Sequence, residues 1–208
     1  MTRISHTELS SAQQDFAGWW RAKQASAAGG RRLGYAQATK LAVYKFHLLQ
    51  GDRARSLAHF DQLVARSLTN AGKIAQARLQ LQAYMDWAEH SGVIVADHRV
   101  RLNLPLEIDV ALGGEVSRVD IRRRGYRAVL LGTRFSSRWK QEGRMPLIQL
   151  AVASKYERAA DDVVVAVQLL DGSGLEETSF DTDERDEAFA TAVTLARRVR
   201  RMLSRPSR

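Results

Sequence analysis

Glu107 and Asp109 stand two residues apart, Glu115 and Asp120 follow, and Lys140 comes after them. Carboxylates so grouped are the usual holders of magnesium, and a lysine beside them assists the water that the metal activates for phosphodiester hydrolysis. Glu107 and Asp109 fall, however, on the polar side of an alternating strand pattern, where exposure to solvent is the ordinary explanation. The same part of the chain is crowded with cations. Arg118, Arg122, Arg123, Arg124, Arg127, Arg134, Arg138, Lys140 and Arg144 face only Asp120 and Glu142, with Trp139 among them. A basic run of this density suits a polyanion, above all a nucleic acid, and Trp139 would offer a base a stacking surface. Contact with an acidic protein is the alternative, and a merely solvated face the plain one.

Other chemistries find less support. His6, His47, His59, His90 and His98 show no metal-ligand spacing, and His47 sits inside a helical pattern as a packed residue would. Gly29-Gly30-Arg31-Arg32 lacks the strand that precedes a phosphate loop, and no nucleophile elbow occurs. The chain has no cysteine, which excludes disulfides and thiolate-held zinc or iron–sulfur clusters. Its 208 residues suit one good-sized core. Apolar residues make up 45% and charged ones 26%, the balance of a globular protein, with a net charge of +9. No run approaches the roughly 18 apolar residues of a membrane span, and no leader is visible, so a cytoplasmic protein with no membrane partner is expected.

The elements that would carry these residues follow from periodicity. A helix is expected over 7–23, with Thr7 as its cap and Trp19 and Trp20 in the core, then a glycine-rich connector over 25–34. Helices at 35–49 and 56–65 follow, and Thr69-Asn70 caps a longer one reaching His90. Leu104, Leu106, Ile108, Val110 and Leu112 alternate with polar or small residues as one strand. Gly113-Gly114 is expected to turn the chain into a second strand over 116–121, and Arg122 to Gly125 into a third over 126–131. A basic loop over 134–145 leads to a helix opened by Pro146. A buried strand over 162–170 and a last helix over 181–203 complete the chain. That helix is acidic at its start and arginine-rich at its end, with Arg205 and Arg208 beyond, as its dipole favours.

Four short motifs sit on these elements in order: Gly72-Lys73-Ile74-Ala75-Gln76, Gly114-Glu115-Val116-Ser117-Arg118, Leu130-Leu131-Gly132-Thr133 and Pro146-Leu147-Ile148-Gln149-Leu150. With Ile4-Ser5-His6-Thr7-Glu8-Leu9 and Trp19-Trp20, they resemble the RecB-type branch of the PD-(D/E)XK nuclease superfamily. That family shows Gly-x-x-x-His, Gly-x-(Ile/Val)-Asp-Arg, Asp/Glu-x-Lys-Thr and a Gln followed a turn later by Tyr. Here Gln76 replaces the histidine, Ser117 the aspartate, Leu130 the acid and Gly132 the lysine. Gln149 is kept, but Tyr156 lies too far along to be its tyrosine.

The resemblance implies an α/β, restriction-endonuclease-like core. Its mixed central sheet of about four strands would be flanked by helices, with an N-terminal helical region at 1–66 packed on a core at 67–208. It further implies a catalytically silent protein, with no metal and no cofactor. Such a protein would be a nucleic-acid-binding or structural subunit of a DNA repair, recombination, mobile-element or anti-phage defence assembly, with DNA and protein partners. A protein–protein scaffold, and a metal-dependent nuclease whose site has moved to Glu107 and Asp109, are the alternatives.

Overall fold

The structure is a computed structural model that describes residues 1–26 and 33–204. Most of the expected glycine-rich connector, and Arg205 and Arg208, lie outside the described residues. In chain order the elements are β1 (Thr2–Ser5), α1 (Leu9–Gln14), α2 (Phe16–Ser26), α3 (Tyr35–Leu48), α4 (Arg53–Ser67) and α5 (Ala71–His90). There follow β2 (Ile94–Glu107), β3 (Val110–Ile121), β4 (Tyr126–Gly132), α6 (Arg144–Lys155), β5 (Val163–Leu169), β6 (Glu176–Thr178) and α7 (Thr182–Leu203). The fold is α/β, a mixed sheet of six strands with helices on both faces. Two more strands are present than the four expected, because the short β1 and β6 carry too few residues to show a period. Among the described residues no helix is long and apolar enough to cross a membrane.

The long β2–β3 hairpin corrects the expected turn. Pairing runs through Leu102↔Gly114 and Leu104↔Leu112, and the chain reverses at Ile108 and Asp109, with Asp109 at φ 62°. Aspartate tolerates that left-handed backbone, and Glu107 accepts a hydrogen bond from the Ile108 N–H at 3.2 Å. Gly113 and Gly114 lie inside β3 for a different reason. The Arg3 side chain lies across Gly113, where an added Cβ would stand 3.2 Å from it, and the His6 ring lies against Gly114, whose φ is +129°. The absent side chains are what let the N-terminal segment lie on the strand. Along β2, Val100, Leu102, Leu104 and Leu106 are buried while Arg99, Arg101, Asn103 and Pro105 are exposed, the alternation of a strand covered on one face.

The N-terminal segment is also corrected. Thr2–Ser5 form a strand parallel to the start of β3, with Thr2↔Val110 and Ser5↔Gly113 in register. The helix expected over 7–23 is two helices. They break at Asp15, whose carboxylate accepts the Gly18 N–H at 2.9 Å and caps α2. Thr7 caps nothing and instead shares a hydrogen bond with the Ser5 hydroxyl. Residues 1–66 therefore supply a strand to the sheet as well as helices. Asn70 caps α5, and Asp181 with Glu184 forms a capping box on α7.

Two apolar layers hold the sheet. On one face Ile4, Leu112, Val116, Leu130 and Val165 meet α1, α2, α6 and α7 through Leu9, Trp19, Leu147, Ile148 and Leu195. On the other, Val129, Leu131, Ala166 and Leu170 meet α3, α4 and α5 through Phe46, Phe60, Leu81 and Met85. β4 is bonded to β3 on one side and to β5 on the other, and the residues of β5 are almost wholly buried.

Candidate functional site

β1 and β4 meet β3 along the same edge from opposite directions. β1 runs parallel to β3 as far as Gly113, while β4, antiparallel, is in register with β3 over Arg118 to Ile121. Their carboxyl ends thus converge beside Gly114 to Ser117. Crevices beyond strand carboxyl ends are where open α/β sheets bind ligands. A cleft of about 460 Å³ opens here, and its lining includes His6, Lys40, Glu115, Ser117, Gly132, Arg134, Glu142 and Arg144.

Cations dominate this lining. The two carboxylates are engaged: Glu115 with Arg99 at 3.1 Å, and Glu142 with Arg144 at 2.6 Å. Burial lowers the pKa of Lys40; Glu115 opposes that effect and Arg144 adds to it. His6 is pushed down to about 4, first by burial and then by Arg144, with Lys40 adding a smaller push. It is therefore neutral at pH 7. The Glu115 carbonyl lies 3.3 Å from Nε2, so Nε2 carries the proton and Nδ1 is a buried acceptor with no hydrogen-bond partner among the described residues.

Of Gln76, Ser117, Leu130, Gly132 and Gln149, the positions singled out by the resemblance, Ser117, Leu130 and Gly132 border this cleft. Ser117 Oγ accepts the Leu131 N–H at 3.0 Å, which leaves its place in the sheet structural. Leu130 is buried in the apolar layer. Gly132 lies under the Phe135 ring, and a Cβ there would stand 2.8 Å from it, so a longer side chain would have to displace the phenyl group. Gln76 points elsewhere, exposed on α5. Gln149 is fully buried and serves as a clamp: its amide donates to the Ala160 carbonyl at 2.8 Å and accepts the Phe180 N–H at 2.9 Å. A divalent cation does not fit this lining, where both carboxylates are neutralised and lysine and arginine crowd the rest. Among the described residues no group of three or more His, Asp or Glu side chains is placed to hold a metal. Glu107 is bound to Arg197 at 3.1 Å and Arg200 at 3.4 Å, Asp109 is exposed at the hairpin turn, and Asp120 is buried towards the other end of β3.

The expected basic surface is divided. Arg118, only 1% exposed, is a core residue and cannot reach a phosphate. Trp139, 2% exposed, donates its indole N–H to Glu176 at 3.1 Å; it packs and has no free face for a base, although Lys140 lies 5.6 Å from its ring. Arg122 and Arg127 are both held by Glu177, at 3.0 and 2.6 Å. Arg123 and Arg124 are exposed at the β3–β4 turn. Arg134, Arg138, Lys140 and Arg144 follow the opposite end of β4, whose seven residues span roughly 20 Å at a strand's rise per residue. Of these, Arg134 and Arg144 line the cleft. Lys40 and His6 join them from α3 and the end of β1; no motif marks Lys40, and His6 carried only the likeness of its segment.

Behind the cleft lies a buried polar network. Arg118 Nε and Nη2 donate to Asp120 at 2.7 and 3.3 Å, and Nη1 donates to the Tyr84 hydroxyl at 2.8 Å. The guanidinium rests 4.7 Å from the Trp87 ring. Tyr84, its pKa raised to about 12 chiefly by burial, donates in turn to His47 Nε2 at 2.8 Å. His47 stacks on His98 at 4.6 Å and is pushed down to about 3 by burial, with His98 and Arg118 adding to the effect. The structure thus places His47 among packed rings.

Gly114→Ala tests the close approach of the N-terminal segment. The new Cβ would run into the His6 ring in a backbone conformation that L-residues rarely adopt. A loss of about 2 kcal/mol or more, read from urea unfolding, is expected; an unchanged midpoint would show that β1 does not hold His6 against β3. No protein-family model matches this chain, and a search of curated proteins finds no match.

Proposed function

We propose that the chain is a non-catalytic, nuclease-like protein that holds a nucleic-acid backbone, DNA first, at the cleft between β1 and β4. It would act as a binding or structural subunit of an assembly for repair, recombination, mobile-element movement or defence. One observation carries the reading: Lys40 and Arg134 converge on a cleft whose carboxylates are already paired, Glu115 with Arg99 and Glu142 with Arg144. Such a lining attracts phosphate, while the serine, leucine and glycine at the motif positions offer no ligand to a metal. A scaffold role draws support from Arg123 and Arg124, which stand exposed far from the cleft and suit an acidic partner.

Binding to duplex DNA should weaken as salt rises, with each phosphate contact adding about −0.9 to the log–log slope. Two contacts from Lys40 and Arg134 would cost about twelvefold between 50 and 200 mM salt. Lys40→Met and Arg134→Ala together should flatten that slope by about 1.8, similarly for every sequence. Arg123→Ala with Arg124→Ala should leave it unchanged. The opposite pattern would move the contact surface to the β3–β4 turn. Cleavage of DNA or RNA with magnesium or manganese, abolished by Glu115→Gln, would sink the non-catalytic reading.

A further inference from the structure

The exposed side of α7 carries a charge pattern that neither the fold nor the cleft uses. Asp183, Asp186, Glu187, Ala190, Thr191, Thr194, Arg197, Arg198 and Arg201 are all exposed. With about 100° between successive helix residues, Asp183, Ala190, Thr194 and Arg201 form the midline of one stripe. Asp186 and Arg197 fall on one flank of it, and Glu187 and Arg198 on the other. The acids occupy the amino-terminal half, the arginines the carboxyl-terminal half, and small residues lie between. Thr194 directs its hydroxyl to the Ala190 carbonyl at 3.0 Å, so the middle of the stripe is low and internally satisfied.

The helix dipole accounts for part of this asymmetry, since it acts within the first and last turns. Asp183 and Arg201 lie there, but Asp186, Glu187, Arg197 and Arg198 lie farther in. Asp183, Asp186 and Glu187 have no ion-pair partner among the described residues, and neither do Arg198 and Arg201. Arg198 rests 4.4 Å from the Phe16 ring. Arg197 touches Glu107 while its side chain stays 66% exposed.

We infer that α7 is the contact surface for a second copy of this chain, joined through an antiparallel pair of α7 helices. A two-fold axis level with Ala192 sets Ala190 beside the partner's Thr194. Small residues at the crossing allow the axes to approach to about 8 Å. The same axis keeps each flank on its own side. Asp186 then meets the partner's Arg197, Glu187 the partner's Arg198, and Asp183 the partner's Arg201, and the symmetry makes every pair twice. A two-fold interface must be self-complementary, and a helix with acids at one end and arginines at the other, equally spaced about its centre, meets that condition. Exposed ion pairs are individually weak and screened, so the association is modest and salt-sensitive.

Sedimentation equilibrium of the full chain at low salt tests this. The wild type should associate as a dimer that dissociates as salt rises. Asp183→Arg, Asp186→Arg and Glu187→Arg together should weaken association on the order of a hundredfold, and so should Arg197→Glu, Arg198→Glu and Arg201→Glu together. An equimolar mixture of the two triple variants should restore a dimer containing one of each. Because the second triple also disturbs Glu107 and Phe16, Ala190→Arg gives an independent check: it touches no charge partner, yet should separate the helices. A wild-type chain that stays monomeric at millimolar concentration overturns the inference. So does a dimer that survives both triples and Ala190→Arg, or a mixture that fails to reassociate while both triples retain the wild-type circular dichroism.

Discussion

Asp120→Ala is expected to cost about 3–5 kcal/mol of stability, read from urea unfolding, because it leaves the Arg118 guanidinium charged and buried without its carboxylate. Arg118 and Asp120 are among the most enclosed charges in the molecule, with side chains 1% exposed. The carboxylate also faces Arg127 at 3.6 Å, so its loss leaves two arginines facing each other. Arg118→Ala should be comparably costly, since it strands Asp120 and removes the donor to Tyr84. Asp120→Asn, which keeps an acceptor for Arg118, should cost less. The double replacement Arg118→Met with Asp120→Leu should fall well short of the sum of the single losses, because it removes both charges together. Single changes that shift the unfolding free energy by less than about 1 kcal/mol would mean that water reaches the pair. The same experiment bears on DNA: Arg118→Ala should alter binding through loss of folded protein and not through the salt slope.

Acid should destabilise the fold well before its carboxylates titrate. His6 and His47 titrate at about 4 and about 3 in the native state, and His98 is also lowered by burial, against Asp97. In the unfolded chain each protonates near 6.5. Between these values the unfolded state binds more protons, so stability is greatest above about pH 6.5 and falls as the pH drops towards 4. One pKa unit corresponds to about 1.4 kcal/mol, so His6 and His47 each contribute up to about 3 kcal/mol of loss by pH 4. Urea midpoints measured from pH 7 to 4 should therefore fall steeply. The fall should shrink in His6→Gln and again in His6→Gln with His47→Gln, whose amide still accepts from Tyr84. If the double variant follows the wild-type curve, the histidines do not govern acid stability.

Much of the frame was legible in the sequence because long periodic segments report their own structure. The helices at Tyr35–Leu48 and Ala71–His90, the strand at Val163–Leu169 and the helix at Thr182–Leu203 stand where hydrophobic spacing and, for the second, the Asn70 cap place them. The hairpin turn was misplaced because Gly113-Gly114 has the composition of a turn. The glycines instead answer to Arg3 and His6, residues brought from the far end of the chain, and no local window contains that information. The cleft was half legible. Ser117, Leu130 and Gly132 lie on the adjacent strands β3 and β4 and border the cleft together, but Lys40 is added by the packing of α3. Arg118, Arg122, Arg127 and Trp139 leave the expected surface for burial or in-chain acids, since charge counting along a sequence cannot see Glu176 and Glu177 crossing over from β6.

β1 also bears on how the molecule is made. Its residues pair with a segment roughly a hundred positions later in the chain, so this contact carries a large loop-closure cost and cannot form before Gly113 has been made. Until then Ile4 has no apolar layer to enter, and the Val110–Gly113 edge of β3 is bare, a short template for pairing with another chain. The cleft thus depends on a long-range pairing that local structure cannot supply. A fusion at the amino terminus, or removal of residues 1–5, should therefore show itself first as aggregation during synthesis, before any change in what the finished protein binds.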